Sequence, residues 1–543
     1  MKAALQSVAI AVSVALLASA CSGGGSDEKS DSDDALRVST TTPAAKGTIA
    51  KVTWNNPRGA PTSLDPALAF TNQTAPIVSN MCESLLRSNP DGSYEPGIAE
   101  KVDNPDPRTY VFTLRAGVNF WDGSPVTADD VVFSLQRSAT LATSGWKGTL
   151  ANFVSATATD DKTVTVKLSK PNALFPKIVA GGPGVVISKA FTEKAGEKFG
   201  TSADTLMCSG PFQVGRYSAG TAITLKRVAN YWDKDHAPKA DQIDFKFITD
   251  PAALTQALQS GEVDGSFFLP YSSLKQLSTS SAGEVYYGPP NTNGNYFVFH
   301  SEKGTPLADP RIREALLDAL DWNGVLDGIF GGAGELLRAP SGPSTWSYSK
   351  EIFQAAYDKL PDTKQDLDKA KALVKEAGAP TKTIGCVAPS EIQELGKLCL
   401  AVQAAGESIG LKVKVTNIPV TEYPSLTQAP NVAGRKKYDM MLVQLPVSIV
   451  DPLNVYTFET QTFNLSGYDN AAVSAALDKA YATTDDDARA TLVVQAQAQL
   501  VKDLPWMPVI GVYQTLFMSN RVTGAALNVA QWYPWAVGLG SAS

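Results

Sequence analysis

Apolar residues recur with two different periods along this chain, and that switch constrains the fold more than any other feature. In the first half Tyr110, Phe112 and Leu114 alternate with polar neighbours, as do Val164, Val166 and Leu168, then Ile223 and Leu225, then Ile243, Phe245 and Phe247. Period-two alternation marks strands with one buried face. Helices interrupt them: Thr127-Ala-Asp-Asp130 is a capping-box-like start, followed by Val131, Val132 and Leu135. In the second half Asp309-Pro310 supplies a cap and a first-turn proline, and Ile312, Ala315, Leu316 and Ala319 follow at helical spacing. A further helix is expected from Asp366 to Gly378. Another should run from about Glu391 to Ile409, stop at Gly410 and lead into a strand over Leu411–Val415. This alternation predicts sheets covered by helices, an α/β architecture. One ordinary core cannot enclose 543 residues, so two or more compact units are expected.

The N-terminus reads as a processing segment. Lys2 precedes a short apolar run, Val8–Ala20, which falls short of the ~20 residues a spanning helix needs and has the length of a signal-peptide core. It ends at Ala18-Ser19-Ala20-Cys21, which resembles the lipobox of bacterial lipoproteins, with Ala18 where that box usually has Leu. Cleavage after Ala20 without a lipid is the alternative, and both readings mean export. Residues 1–20 are thus expected to be a signal peptide, Cys21 the lipid attachment site, and 21–48 a flexible tether opening with the small and charged run Ser22–Asp34. No later run of ~18 apolar residues offers a membrane span. The formal charge of −7 carries no polybasic footprint for nucleic acid.

One segment is highly specific. Thr109 to Arg137 reads TYVFTLRAGVNFWDGSPVTADDVVFSLQR, with Leu114-Arg115, Gly117-Val118, Phe120, Asp122-Gly123, Pro125, Thr127-Ala128, Asp130-Val131 and Phe133-Ser134 in order. It resembles the signature of the family 5 solute-binding proteins of ABC importers, the dipeptide, oligopeptide and nickel group. Further similar motifs occur in sequence order: Ser63-Leu64-Asp65-Pro66, Gly210-Pro211-Phe212, Asn230-Tyr231-Trp232, Gly261-Glu262-Val263-Asp264, Asp309 to Leu316 with Asp321, and Asp366 to Gly378. The resemblance covers about residues 50 to 525. Most of these motifs read as turns, caps and solvated helix faces, which identify the family without contacting a ligand.

The resemblance implies a periplasmic-binding-protein-like fold of type II, in the large family 5 form: two α/β lobes enclosing the ligand, with an extra subdomain inserted in lobe I. Mapped here, lobe I takes 49–295 plus 511–543, with the subdomain at about 83–205, and lobe II takes 296–510. The implied role is that of a monomeric lipoprotein on the outer face of the bacterial cell membrane. It would capture a di- or oligopeptide and deliver it to permease and ATPase subunits on separate chains, with no cofactor and no nucleic-acid partner. By matching, the ligand-binding candidates are Phe70, Thr71, Asn72, Trp146, Asn295, Tyr296, Phe297, Gln444, Leu445, Ser448, Asp451 and Trp532. Phe70 and Trp146 also fit as core aromatics, and Trp532 as a seal on lobe I. One departure matters most. Many peptide-binding members carry W-x-x-D-x-x-D-P, whose first Asp pairs with the ligand ammonium; here Leu445 stands at the Trp position and Ser448 at that Asp. Serine offers no countercharge, and an enclosed ammonium without one is costly. Either Asp451 or another acid substitutes, or the ligand lacks a free amine, which keeps an oligosaccharide, a chelated metal or another polar solute as a second reading.

Four cysteines remain after Cys21: Cys82, Cys208, Cys386 and Cys399. They allow three pairings. Cys82–Cys208 with Cys386–Cys399 is favoured, because the second closes a short local loop and the first would staple two segments of one lobe; free buried thiols are the alternative. No C-x-x-C spacing occurs and the only histidines, His236 and His300, are far apart in sequence, so no metal site is expected. An exported hydrolase is the distant enzyme alternative. It lacks support: there is no G-x-S-x-G, and the S-x-x-K matches at Ser272 and Ser347 have no S-D-N or K-T-G beside them. The protein is expected not to be an enzyme.

Overall fold

A computed structural model describes residues 36–543 apart from 291–293, 420, 424–425, 427–436, 446–448, 458–459, 462–463 and 528–531. The period-two residues do bury one face. Tyr110, Phe112 and Leu114, with Val164, Val166 and Leu168, fill the inner side of a four-stranded antiparallel sheet ordered Ala99–Asp106, Thr109–Leu114, Thr163–Leu168, Phe153–Asp160. The helix Ala128–Thr140 belongs to the same core, and its expected capping box is present: Thr127 Oγ1 accepts from the Asp130 N–H, and Asp130 Oδ2 from the Thr127 N–H. This is the inserted subdomain.

The first lobe is built on a seven-stranded sheet. Its centre is Val52–Asn55, which runs parallel to Gln242–Lys246 on one side and Gly265–Phe267 on the other. Trp54, Phe245 and Phe267 from these strands pack around Trp535, so the C-terminal tail completes this core. The second lobe is built on a six-stranded sheet ordered Gly334–Leu336, Trp506–Val512, Gly294–Phe299, Met440–Leu445, Ile384–Pro389, Val413–Ile418. Helices Pro310–Ala319, Leu367–Ala377 and Gln393–Ser408 cover it. Asp309 caps the first of them by accepting from the Arg311 N–H, and Gly410 takes the left-handed turn beyond the third, at φ 85°. The chain passes between the two sheets twice, from Gly283–Gly288 to Gly294–Phe299 and from Trp506–Val512 to Gln514–Ser519.

Two signature motifs meet here. Asp65 of Ser-Leu-Asp-Pro caps the turn Pro66–Leu68 and takes two hydrogen bonds from Arg137, at 2.8 and 2.6 Å. Disulfides join Cys82 to Cys208, and Cys386 to Cys399. The tether expected through residue 48 ends earlier. Ser39, Thr42 and Lys46 donate backbone hydrogen bonds to the carbonyls of Tyr287, Ala525 and Ser541, and Thr42 is buried. Main-chain bonds of this kind tie down a polar segment whatever its side chains, so composition does not reveal them.

Candidate functional site

Three predicted residues from distant parts of the chain converge on the first lobe. The capped turn at Pro66–Leu68 delivers Phe70, which is 52% exposed, beside Trp146. Their rings meet edge to face at 6.4 Å, and Trp146 meets Trp532 the same way at 6.0 Å. Polar contacts fix the shelf. Trp146 Nε1 donates to the Pro66 carbonyl at 2.9 Å, the Gly145 N–H to the Ala67 carbonyl at 2.9 Å, and Trp532 Nε1 to the Cys82 carbonyl at 3.5 Å. Two glycines are needed for the close approach: a Cβ at Gly182 would lie 2.2 Å from the Trp146 ring, and one at Gly145 would lie 1.9 Å from Phe70. Thr71 is exposed and its carbonyl accepts from Thr74 and Ala75, while the Asn72 carbonyl accepts from Asn56 Nδ2 at 3.5 Å. Trp146 and Trp532 are mostly buried, so Phe70 is the part of the shelf that a ligand can cover.

In the second lobe Gly294–Phe299 and Met440–Leu445 pair antiparallel, with Asn295 opposite Gln444, Tyr296 opposite Val443 and Gly294 opposite Leu445. The strands thus place the predicted Asn295, Tyr296, Gln444 and Leu445 at one end of the sheet. Ser448 and Cys21 lie outside the described residues. Two expectations need correction. Phe297 is fully buried in the second lobe's core, so its side chain is packing and not a ligand contact. Asp451 is also fully buried: one oxygen takes Lys177 Nζ at 2.6 Å, and the other accepts from the Leu453 N–H at 2.9 Å. Its charge is matched within the protein, so it does not serve as the substitute partner for a ligand ammonium.

That ion pair joins the subdomain to the second lobe, and Lys177 was not singled out by sequence reasoning. Around it the two regions exchange side chains. Leu174, from the subdomain, is 1% exposed among Leu453, Tyr456 and Val473; Ile449, from the second lobe, packs into the subdomain core. The Ala173 N–H donates to the Tyr481 carbonyl at 2.9 Å, and Lys177 Nζ also donates to Ser347 Oγ at 2.6 Å. A cavity of about 370 Å³ lies alongside, bordered by Tyr94, Lys177, Tyr348, Asp486 and Arg489. Burial, reinforced by the Asp451 carboxylate, pushes the Tyr348 phenol well up, and it stays neutral. Arg489 is paired with Asp486, as Lys177 is with Asp451. This cavity therefore presents no unmatched cation to a ligand.

Among the described residues no group of three or more His, Cys, Asp or Glu is placed to hold a metal ion, and no helix is long and apolar enough to cross a membrane. Phe70, Trp146 and Trp532 thus form an aromatic cluster on the first lobe, and Asn295, Tyr296, Gln444 and Leu445 stand at one end of the second lobe's sheet. Known proteins share the fold. The family model for bacterial extracellular solute-binding proteins, family 5 Middle, matches residues 93–465. The dipeptide-binding protein DppE of Bacillus subtilis is 26% identical over an alignment of 505 residues that covers 88% of this chain and 90% of that one. The periplasmic binding protein DppA of Helicobacter pylori, solved with the peptide STSA, aligns with a TM-score of 0.75 at 22% identity, over 92% of this chain and 99% of that one. The binding protein AgaA of A. tumefaciens, solved with agropinic acid, aligns with a TM-score of 0.73 at 21% identity, over 91% and 98% of the two chains. The two solved structures share this fold, and the match over residues 93–465 shows that the chain belongs to the bacterial extracellular solute-binding proteins of family 5.

Proposed function

We propose that this protein is the peptide-capturing lipoprotein of an ABC importer. It holds a di- or oligopeptide between its lobes and delivers it to permease and ATPase subunits on separate chains. Lobe I takes residues from about 39 to 295 and 511–543, with its subdomain at about 83–205, and lobe II takes 296–510. Cys21 carries the lipid, on the outer face of the cell membrane, and the body works as a monomer. The observation that carries the reading is the family match, and Phe70, half exposed in a cluster with Trp146 and Trp532, offers an aromatic surface for the ligand. Enclosing a ligand there removes water and strengthens each polar contact. Native mass spectrometry of the protein purified from peptide-containing medium tests it, followed by titration with a defined peptide library. Reversible binding of peptides supports the reading, and its absence across the library overturns the peptide as ligand.

A second reading keeps the role and changes the ligand to a non-peptide polar solute. One observation favours it. Ser448 stands at the family's ammonium-binding position, and Asp451, the acid beside it, is consumed by Lys177. A non-peptide solute that co-purifies with the protein would decide for this reading.

A further inference from the structure

The central strand Val52–Asn55 is parallel to both of its neighbours. In open α/β sheets, the crevice beyond the carboxyl ends of such strands is where ligands bind. Arg58 lies just past that end, on a loop that is tightly held. Asn56 Nδ2 donates to the Gln73 carbonyl at 2.9 Å, Gln73 Nε2 to the Ala60 carbonyl at 2.6 Å, and the Arg58 N–H to Asn56 Oδ1 at 3.1 Å. These bonds fasten the loop to the segment that carries Phe70, Thr71 and Asn72.

The Arg58 guanidinium lies over the Phe268 ring, 5.0 Å from its centroid. Phe268 follows the parallel strand Gly265–Phe267 and adopts a left-handed φ of 55°, which bulky residues rarely do. Its N–H is pinned to the Thr515 carbonyl at 3.0 Å. Strain of this sort persists where the surroundings impose it, and it concentrates at ligand sites. Here it presents an aromatic platform. A guanidinium held over a ring by cation–π attraction still has N–H donors free for a partner.

No such partner comes from the protein. Among the described residues the Arg58 guanidinium makes no hydrogen bond or ion pair, and Tyr271 and Glu394 influence it only at longer range. The side chain is exposed, and desolvation by the surrounding protein lowers its pKa. The cations described above are matched instead: Arg137 with Asp65, Lys177 with Asp451, Arg489 with Asp486. A cation left without a counter-ion in a crevice that closes is costly, unless the ligand brings the anion.

We propose that Arg58, held over the Phe268 ring, anchors a carboxylate of the ligand, so that the enclosed solute is an acid. This rests on the solute-binding reading and narrows it. Two sources fit the same chemistry: a peptide's terminal carboxylate or an acidic side chain.

Calorimetric titration of the full chain separates them, using trialanine, trialanine amide and Ala-Glu-Ala amide against wild type and Arg58→Gln. Wild type is expected to bind trialanine about ten- to a hundredfold more tightly than its amide. Arg58→Gln should erase that preference and leave amide binding unchanged. Arg58-dependent recovery with Ala-Glu-Ala amide would assign the side-chain source. Equal affinity for acid and amide in wild type, or equal weakening of both by Arg58→Gln, overturns the anchor. Should no peptide bind, the peptide reading fails by itself. The anchor is then decided by melting with succinate and with succinamide: an Arg58-dependent rise with the acid alone upholds it, and no difference overturns it.

Discussion

In the first lobe, Phe70, Trp146 and Trp532 are fixed from within that lobe, by the Asp65–Arg137 pair, the Trp146 Nε1 bond to Pro66 and the Cys82–Cys208 disulfide. On the other side, residues 449–451 are fixed from across. Ile449 sits in the subdomain core, and Asp451 is held by Lys177 of the subdomain. The first wall is therefore preformed, whereas the second depends on the lobes being together. On the proposed function, a ligand would meet a rigid shelf on one side and, on the other, a loop whose place is set by closure.

The largest test acts on the preformed wall. Cys82–Cys208 spans 126 residues and Cys386–Cys399 spans 13. By loop-closure entropy the long bridge contributes about 5 kcal/mol and the short one about 3 kcal/mol. Cys82→Ser with Cys208→Ser should thus lower the denaturation midpoint more than the Cys386, Cys399 pair of changes. If the shelf is held from within, the same variant should also weaken ligand binding, because Trp532 leans on the Cys82 carbonyl. Unaltered binding in a folded variant would break the link between staple and shelf.

Next comes the wall that is held from across. Lys177→Met strands a fully buried carboxylate, and Asp451→Asn strands a mostly buried ammonium. Each single change is expected to cost about 3–5 kcal/mol, and the double variant to recover a large part of that. X-ray scattering should show the single variants shifted toward an expanded state, with weaker ligand binding, while shelf variants leave the scattering of the unliganded protein unchanged. Identical scattering for wild type and Lys177→Met would mean that the pair does not control closure. Leu174→Ala removes the apolar part of the same clasp. A loss of about 3 kcal/mol is expected, with binding reduced in the same direction.

How far the two walls could be read in the sequence differs as well. Strands with one buried face announced themselves: Tyr110, Phe112 and Leu114 alternate because water lies on their other side. The capping box at Thr127 and Asp130, and Asp309-Pro310, are local and equally plain. Phe297, Val298 and Phe299 are all buried, so this strand of the second lobe's sheet has no alternation and gave no sign that Phe297 faces the core. The shelf came from family resemblance, since nothing local connects Phe70 with Trp532. The Lys177–Asp451 pair joins residues 274 apart in sequence, and a lone Lys near a helix end reads as a solvated charge. Arg58 was missed for the same reason: a single Arg in a Pro- and Gly-bearing loop carries no periodic signal. Its meaning comes from the strained Phe268 beneath it, more than two hundred residues away.

The smallest effect separates the shelf's binding role from its structural one. Phe70 is half exposed and Trp146 is not, although their rings touch. Phe70→Ala therefore gives up little core burial, and the unliganded protein should melt close to wild type. Its cost falls on the complex, where the ring would be covered: about tenfold weaker binding, or about 1.4 kcal/mol, by titration calorimetry. Trp146→Ala should behave in the opposite way, losing stability first, because its indole fills the space left by Gly182 and bonds to Pro66. A Phe70→Ala protein that binds like wild type would show the exposed edge to be no part of the site. One that melts well below wild type would show that Phe70 belongs to the lobe's core, and the distinction between a preformed wall and a ligand-covered ring would collapse.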